Sequence, residues 1–273
     1  MTDFVAPTSI VRRIWGSSDT VLFIFAGAAA EFALNKAVDW LFFTGRLPAD
    51  PLGRLFSTVE YARRIVFADQ AGAEKAIDTI AAIHAAVEAK RGRPIPAWAY
   101  RDVLFMLIGY SIRAFEVLER PLTAAECAEI CAVFGRVGQR MGIPDLPTSY
   151  LAFLLDRAQH LRANTANGHF TRSLYGEYRR HLGSLRYGML RLVQGLLVPP
   201  RVRQLLRLPA GWWVRPLLAA YRATRRRAFS QWLKAALLPA EYRARILALD
   251  VPTVPINAAP AMPLKDAQCP FRR

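Results

Sequence analysis

Two apolar runs, residues 21–30 and 103–112, set the tightest limit on what this chain can fold into. Each is too short for the roughly 20 uninterrupted apolar residues that cross a bilayer. Glu31, Lys36 and Asp39 interrupt the continuation of the first, and Arg101, Asp102 and Arg113 flank the second. Both are therefore read as helices buried inside a soluble body. The rest of the sequence repeats the theme. Apolar residues recur at helical spacing, as in Ala76, Ile80, Ile83 and Val87, and no run alternates with a period of two.

Caps and breakers divide the chain. Ser17 to Asp19 offer N-cap oxygens, Asp50-Pro51 restarts a helix, and Asp69 caps the next. Thr123-Ala124-Ala125-Glu126 has the capping-box pattern, and Ser149 or Pro147 starts a further helix. Residues 171–198 read as one basic helix, and Trp212-Trp213 opens another toward Leu238. The expectation is an all-α chain: a single compact multi-helix domain of about ten helices over residues 1–250. The proline-rich residues 251–273 are read as an extended tail.

Charge separates the two halves. Residues 1–150 hold 16 basic and 16 acidic side chains, whereas residues 151–273 hold 21 and 5. The surplus is mostly arginine interleaved with leucine, valine and tyrosine, the pattern of amphipathic helices rather than of a basic tail. It fits a solvated basic face, an anionic ligand or an anionic membrane surface. No zinc-finger spacing, glycine-rich clamp or RNP-like strand points to nucleic acid, and none is expected as a partner. With 53% apolar and 21% charged residues, the chain is not intrinsically disordered. The N-terminus has no secretory signal pattern, and three cysteines (Cys127, Cys131 and Cys269) cannot build a disulfide framework. A cytoplasmic location follows, with peripheral membrane attachment left open.

Familiar catalytic motifs are absent: no P-loop, GxGxxG, HExxH, GxSxG or CxxC occurs. Cys127 and Cys131 share a helical face and read as buried thiols. His160, His169 and His181 lie among arginines and read as solvated. His84 differs, because Ile80, Ala81, Ala82, Ile83, Ala85, Ala86 and Val87 surround it with small apolar side chains. Imidazole is a common axial ligand of haem iron, which makes His84 a candidate metal ligand, although periodicity alone reads it first as a satisfied core histidine. Arg54 and Thr58 share a helical face beside Ser57; they read as a cap or an interhelical hydrogen bond, or as a pair that could hold a carboxylate or polarise dioxygen. Glu116, in an apolar helix with Arg113 and Arg120 nearby, reads as one partner of an intrahelical ion pair or as a ligand-orienting group.

Several segments, taken in order, resemble the MpaB-like and latex-clearing (rubber oxygenase) superfamily. They are Asp50-Pro-Leu-Gly-Arg-Leu-Phe-Ser-Thr58, Val66-Phe67-Ala68-Asp69, Ile83-His84-Ala85-Ala86-Val87, Ala114-Phe115-Glu116 with Arg120-Pro121-Leu122-Thr123, and Leu196-Leu197-Val198-Pro199-Pro200 through Leu208-Pro209. The resemblance implies an all-helical haem b oxygenase that uses dioxygen on an apolar or unsaturated small molecule. It implies His84 as the iron ligand, with Ile80, Ala81 and Val87 as an apolar wall beside the haem. It implies Arg54, Ser57 and Thr58 as the catalytic trio on the dioxygen side, Ser57 standing where the family has lysine. Glu116 falls on the acidic position of a "YE" element, in a supporting role near the cofactor. The stretch 34–41 lacks the histidine that many members carry, and Thr44 occupies a later histidine position. The alternatives are a divergent biosynthetic enzyme on this fold, working by isomerisation, cyclisation or peroxide chemistry, and a non-enzymatic haem- or lipid-binding protein.

Overall fold

A computed structural model describes residues 2–43, 51–209, 214–224 and 248–250. The fold is all-α. The described residues form eleven α-helices: α1 (Ile10–Trp15), α2 (Ser18–Leu34), α3 (Asp39–Phe43), α4 (Pro51–Phe67), α5 (Gln70–Arg91), α6 (Ala97–Leu118), α7 (Ala124–Arg140), α8 (Tyr150–Asn164), α9 (His169–Leu197), α10 (Pro200–Leu206) and α11 (Val214–Thr224). Among them there is no strand, only two isolated bridges, Asp3 with Asp69 and Asn35 with Thr165.

The two apolar runs become α2 and α6, which pack on each other at the centre of the body. α6 buries Leu104, Phe105, Met106, Ile108, Tyr110, Phe115 and Leu118. Their approach depends on Gly27, since a methyl group there would overlap the Tyr110 ring. Around this pair sit α1 with the fully buried Trp15, then α7, α8 and α9. Trp15 donates from its indole nitrogen to Ser111 Oγ at 3.2 Å, which satisfies the one polar atom of that side chain.

Local chemistry explains most helix ends. Ser17 caps α2, Asp69 caps α5 by accepting from the Gly72 amide at 2.8 Å, and Ser149 caps α8. Thr123 and Glu126 form the reciprocal capping box of α7. Gly92 ends α5 at φ 70, a left-handed conformation that glycine adopts at little cost. Asp250 returns to the start of the chain, accepting from the Ser18 amide at 2.8 Å and from its hydroxyl at 2.6 Å. A carboxylate is favourable at that helix N-terminus.

The basic helix is not continuous. Gly183 adopts φ 71 and ψ 169 inside α9, so two helices meet there at a kink that helical spacing alone did not reveal. The expected helix from Trp212 to Leu238 is described only over Val214–Thr224. The tail at residues 251–273 lies outside the described residues. No described helix is long and apolar enough to cross a membrane.

Candidate functional site

α4 and α5 form a helical hairpin joined by Ala68 and Asp69. At a rise of 1.5 Å per residue, Arg54 stands about 20 Å from the connection on α4 and His84 about 21 Å from it on α5. The Arg54 turn and the His84 turn therefore lie at similar heights, with Thr58 about one turn nearer the connection. Ser57 and Thr58 are half-buried; the side chain of Arg54 lies outside the described residues.

His84 belongs to the stripe of α5 that faces the body. That stripe buries Ala73 and Ile77 completely, but Ile80, Ala81, His84 and Val87 are only half-buried. Beside the stripe Ile83 is 44% exposed. The inward face thus loses part of its cover over the last three turns of α5. Ile80 still packs on the main core, and Val87 packs with Ala37, Trp40 and Ala99.

The His84 ring meets the edge of Tyr100 on α6, with centroids 5.3 Å apart and planes at 86°. The Tyr100 hydroxyl donates to Glu88 Oε1 at 3.1 Å, and the Ile95 amide donates to the same oxygen at 2.8 Å. Burial, then the Glu88 carboxylate, push the Tyr100 phenol well above its ordinary pKa, so it remains a neutral donor. One turn along α5 past Glu88, Arg91 lies over the Trp40 ring at 4.0 Å and pairs with Asp39 at 2.6 Å.

Glu116 does not join this neighbourhood. It lies sixteen residues beyond Tyr100 on α6, a rise of about 24 Å. It is half-buried and accepts from the Leu122 amide at 3.4 Å. The ion pair expected from Arg113 and Arg120 is also absent. Arg113 donates to Leu196 O, and Arg120 binds Glu126 at 2.7 Å, because the capping-box carboxylate is closer.

A second polar centre went unseen in the sequence. Glu31 of α2, only 3% exposed, takes two hydrogen bonds from Arg157 of α8, at 3.0 and 2.8 Å, and one from the Tyr110 hydroxyl at 2.8 Å. Burial opposes the Arg157 charge, but Glu31 outweighs it and the arginine pKa ends above its usual value. Burial and the Glu31 charge likewise hold the Tyr110 phenol far above its usual range.

Next to this pair, the buried Asp102 accepts from His160 Nδ1 at 2.5 Å, Asn35 at 2.7 Å and Asn164 at 2.9 Å. His160 is therefore not the solvated side chain its arginine-rich context suggested; it is 17% exposed. A cavity of about 10 Å³, room for one water molecule, lies among Glu31, Asn35, Asp102, Arg157, His160 and Thr165. The only sequence signals were acidic residues interrupting apolar helices, and these were read as limits on membrane spans. His169 and His181 are exposed, as expected.

Cys127 and Cys131 are buried free thiols. Burial pushes the Cys131 thiol up to about 12 and raises Cys127 as well, so neither is poised as a nucleophile. Among the described residues no group of three or more His, Cys, Asp or Glu could hold a metal ion. A haem needs less, since the porphyrin supplies four ligands and a single imidazole can complete the protein's share. His84, half-buried among small apolar side chains, fits that donor requirement.

Residues 12–245 match the family described as ER-bound oxygenase mpaB/B'/Rubber oxygenase, catalytic domain. The chain belongs to this family. No curated protein and no solved structure matches it. The family match spans both polar centres and the whole α4–α5 hairpin.

Proposed function

We propose that this protein is a haem b-dependent oxygenase acting on an apolar or unsaturated small molecule with dioxygen. The observation that carries the reading is the placement of His84: it lies on the partly uncovered inner stripe of α5 in a chain that belongs to an oxygenase catalytic-domain family. When bound, the haem would supply iron for dioxygen activation.

The chain's own residues divide the remaining tasks. His84 offers an imidazole nitrogen to the iron. Tyr100 limits rotation of the His84 ring by edge contact, and Glu88 holds Tyr100 in turn. Ile80, Ala81 and Val87 give an apolar wall that keeps water from the cofactor. Arg54, Ser57 and Thr58 would supply a guanidinium and two hydroxyls able to donate hydrogen bonds on the dioxygen side. Glu116 supports the fold near Leu122, remote from this set. The family's description as ER-bound favours a location at a membrane, reached peripherally as far as the described residues are concerned.

The deciding experiment is an absorption spectrum with iron analysis of protein expressed with adequate iron. The wild type should show a Soret band, and His84→Ala should lose or shift it. Thr58→Ala should keep the band and slow turnover. A Soret band unchanged in His84→Ala removes His84 as the ligand, and iron-free, colourless wild-type protein removes the haem reading.

A further inference from the structure

The surplus positive charge coincides with an apolar surface that the core does not use. α9 carries five arginines and one acidic residue, Glu177. Beyond the Gly183 kink, the inner face of α9 is already occupied. Tyr187 and Leu190 pack against the cluster of Ala33, Val38, Leu174 and Tyr178, and Gln194 donates to Ala26 O at 3.1 Å.

The opposite face carries a second apolar stripe. Leu185 is 73% exposed and Met189 36%, with Gly188 exposed between them and Leu192 half-buried one turn on. Spacings of i, i+4 and i+7 keep these side chains in one line. Among the described residues, neither hydrophobic cluster that α9 joins includes Leu185, Met189 or Leu192.

Its surroundings select the partner. Arg172, Arg179 and Arg180 are exposed on the preceding segment, and Arg186 lies beside Leu185. Glu177 is engaged with Arg180 at 2.7 Å. A second copy docked through the same face would bring arginines against arginines, which is unfavourable. An anionic bilayer offers apolar depth for leucine and methionine and phosphates for arginine.

We propose that the post-kink segment of α9 is a docking face for an anionic lipid surface, with Leu185, Met189 and Leu192 entering the headgroup boundary and the neighbouring arginines meeting lipid phosphates. The proposal is independent of whether the protein binds haem.

Co-sedimentation of the full chain with phosphatidylcholine vesicles, with and without phosphatidylserine, tests it. Wild-type protein should bind the serine-containing vesicles and release as salt rises, because exposed charges are screened. Leu185→Ser/Met189→Ser should weaken that binding by about tenfold or more, the scale expected for two apolar side chains withdrawn from lipid. Its urea midpoint should match wild type, since both side chains are exposed. Arg179→Glu should weaken binding to the anionic vesicles alone. Equal binding by the double variant and wild type, or no binding to phosphatidylserine vesicles, overturns the proposal. So does a dimer by sedimentation equilibrium that the double variant dissolves.

Discussion

The two polar neighbourhoods of this protein are built on opposite principles. Around Glu31 and Asp102, every carboxylate oxygen is matched by donors from α6, α8 or the chain around Asn35, and the cavity between them has room for a single water. Around His84, apolar small residues line a stripe that its neighbours only half cover. The first arrangement has its binding capacity consumed internally and ties α2, α6 and α8 together. The second places an imidazole on a half-buried apolar stripe, against the Tyr100 ring.

The comparison breaks most sharply at Arg157. Replacing it with methionine leaves the Glu31 carboxylate buried and uncompensated, and should cost about 3–5 kcal/mol of stability. Urea unfolding of Arg157→Met measures it. A loss below that of an exposed surface pair, about 1 kcal/mol, would mean that Glu31 and Arg157 do not tie α2 to α8.

Gly27→Ala comes next. The added methyl meets the Tyr110 ring, which also donates to Glu31, so α2 and α6 must separate. Overpacking of this kind costs about 1–3 kcal/mol. Thermal unfolding should show the loss, and the Arg157→Met and Gly27→Ala effects should fail to add, because the Tyr110 ring and the Glu31 pair share one neighbourhood.

His84→Ala sharpens the other side. The ring is half-buried rather than enclosed in the core, so the stability change should be about 1 kcal/mol, well below that of Arg157→Met. Haem content should nevertheless collapse. A large stability loss in protein prepared without haem would place His84 among the structural groups, with Glu31 and Arg157.

The smallest effect is a pH dependence outside both centres. Hydrogen bonds from Arg120, then from the Thr123 amide, lower the Glu126 carboxyl from 4.5 to about 2. Its folded pKa lies below its unfolded one, so it stabilises the fold above about pH 4.5 and loses that contribution as pH falls toward 2. Glu126 is half-buried but its partner Arg120 is 46% exposed, so solvent and salt screen the pair and the effect is shallow. Glu126→Gln should flatten this acid-side slope in unfolding experiments.

Much of the local architecture follows from neighbours in sequence. Ser17, Asp69, Thr123 with Glu126, and Ser149 cap helices where their spacing to the next apolar run places them. A cap is a contact across three residues, so a linear reading finds it. The thiols were legible for the same reason: Cys127 and Cys131 fall on the apolar side of one helix. His84 stood out because its small neighbours are adjacent in the chain.

Only the tertiary structure could pair Glu31 with Arg157 across 126 positions, or Asp102 with His160 across 58. In the sequence these residues are charges on separate helices, and their arginine-rich or apolar surroundings point elsewhere. The same holds for Glu116, whose neighbours at helical spacing offered an ion pair that Glu126 and the Leu196 carbonyl captured instead. The kink at Gly183 belongs to this class too: glycine permits it, but the packing of the following segment on α2 fixes it. Helical periodicity and capping are local, short-range chemistry, and the sequence determines them. Which charges meet, and which surface stays uncovered, depends on how separate helices cross, and that is decided only when the whole core packs.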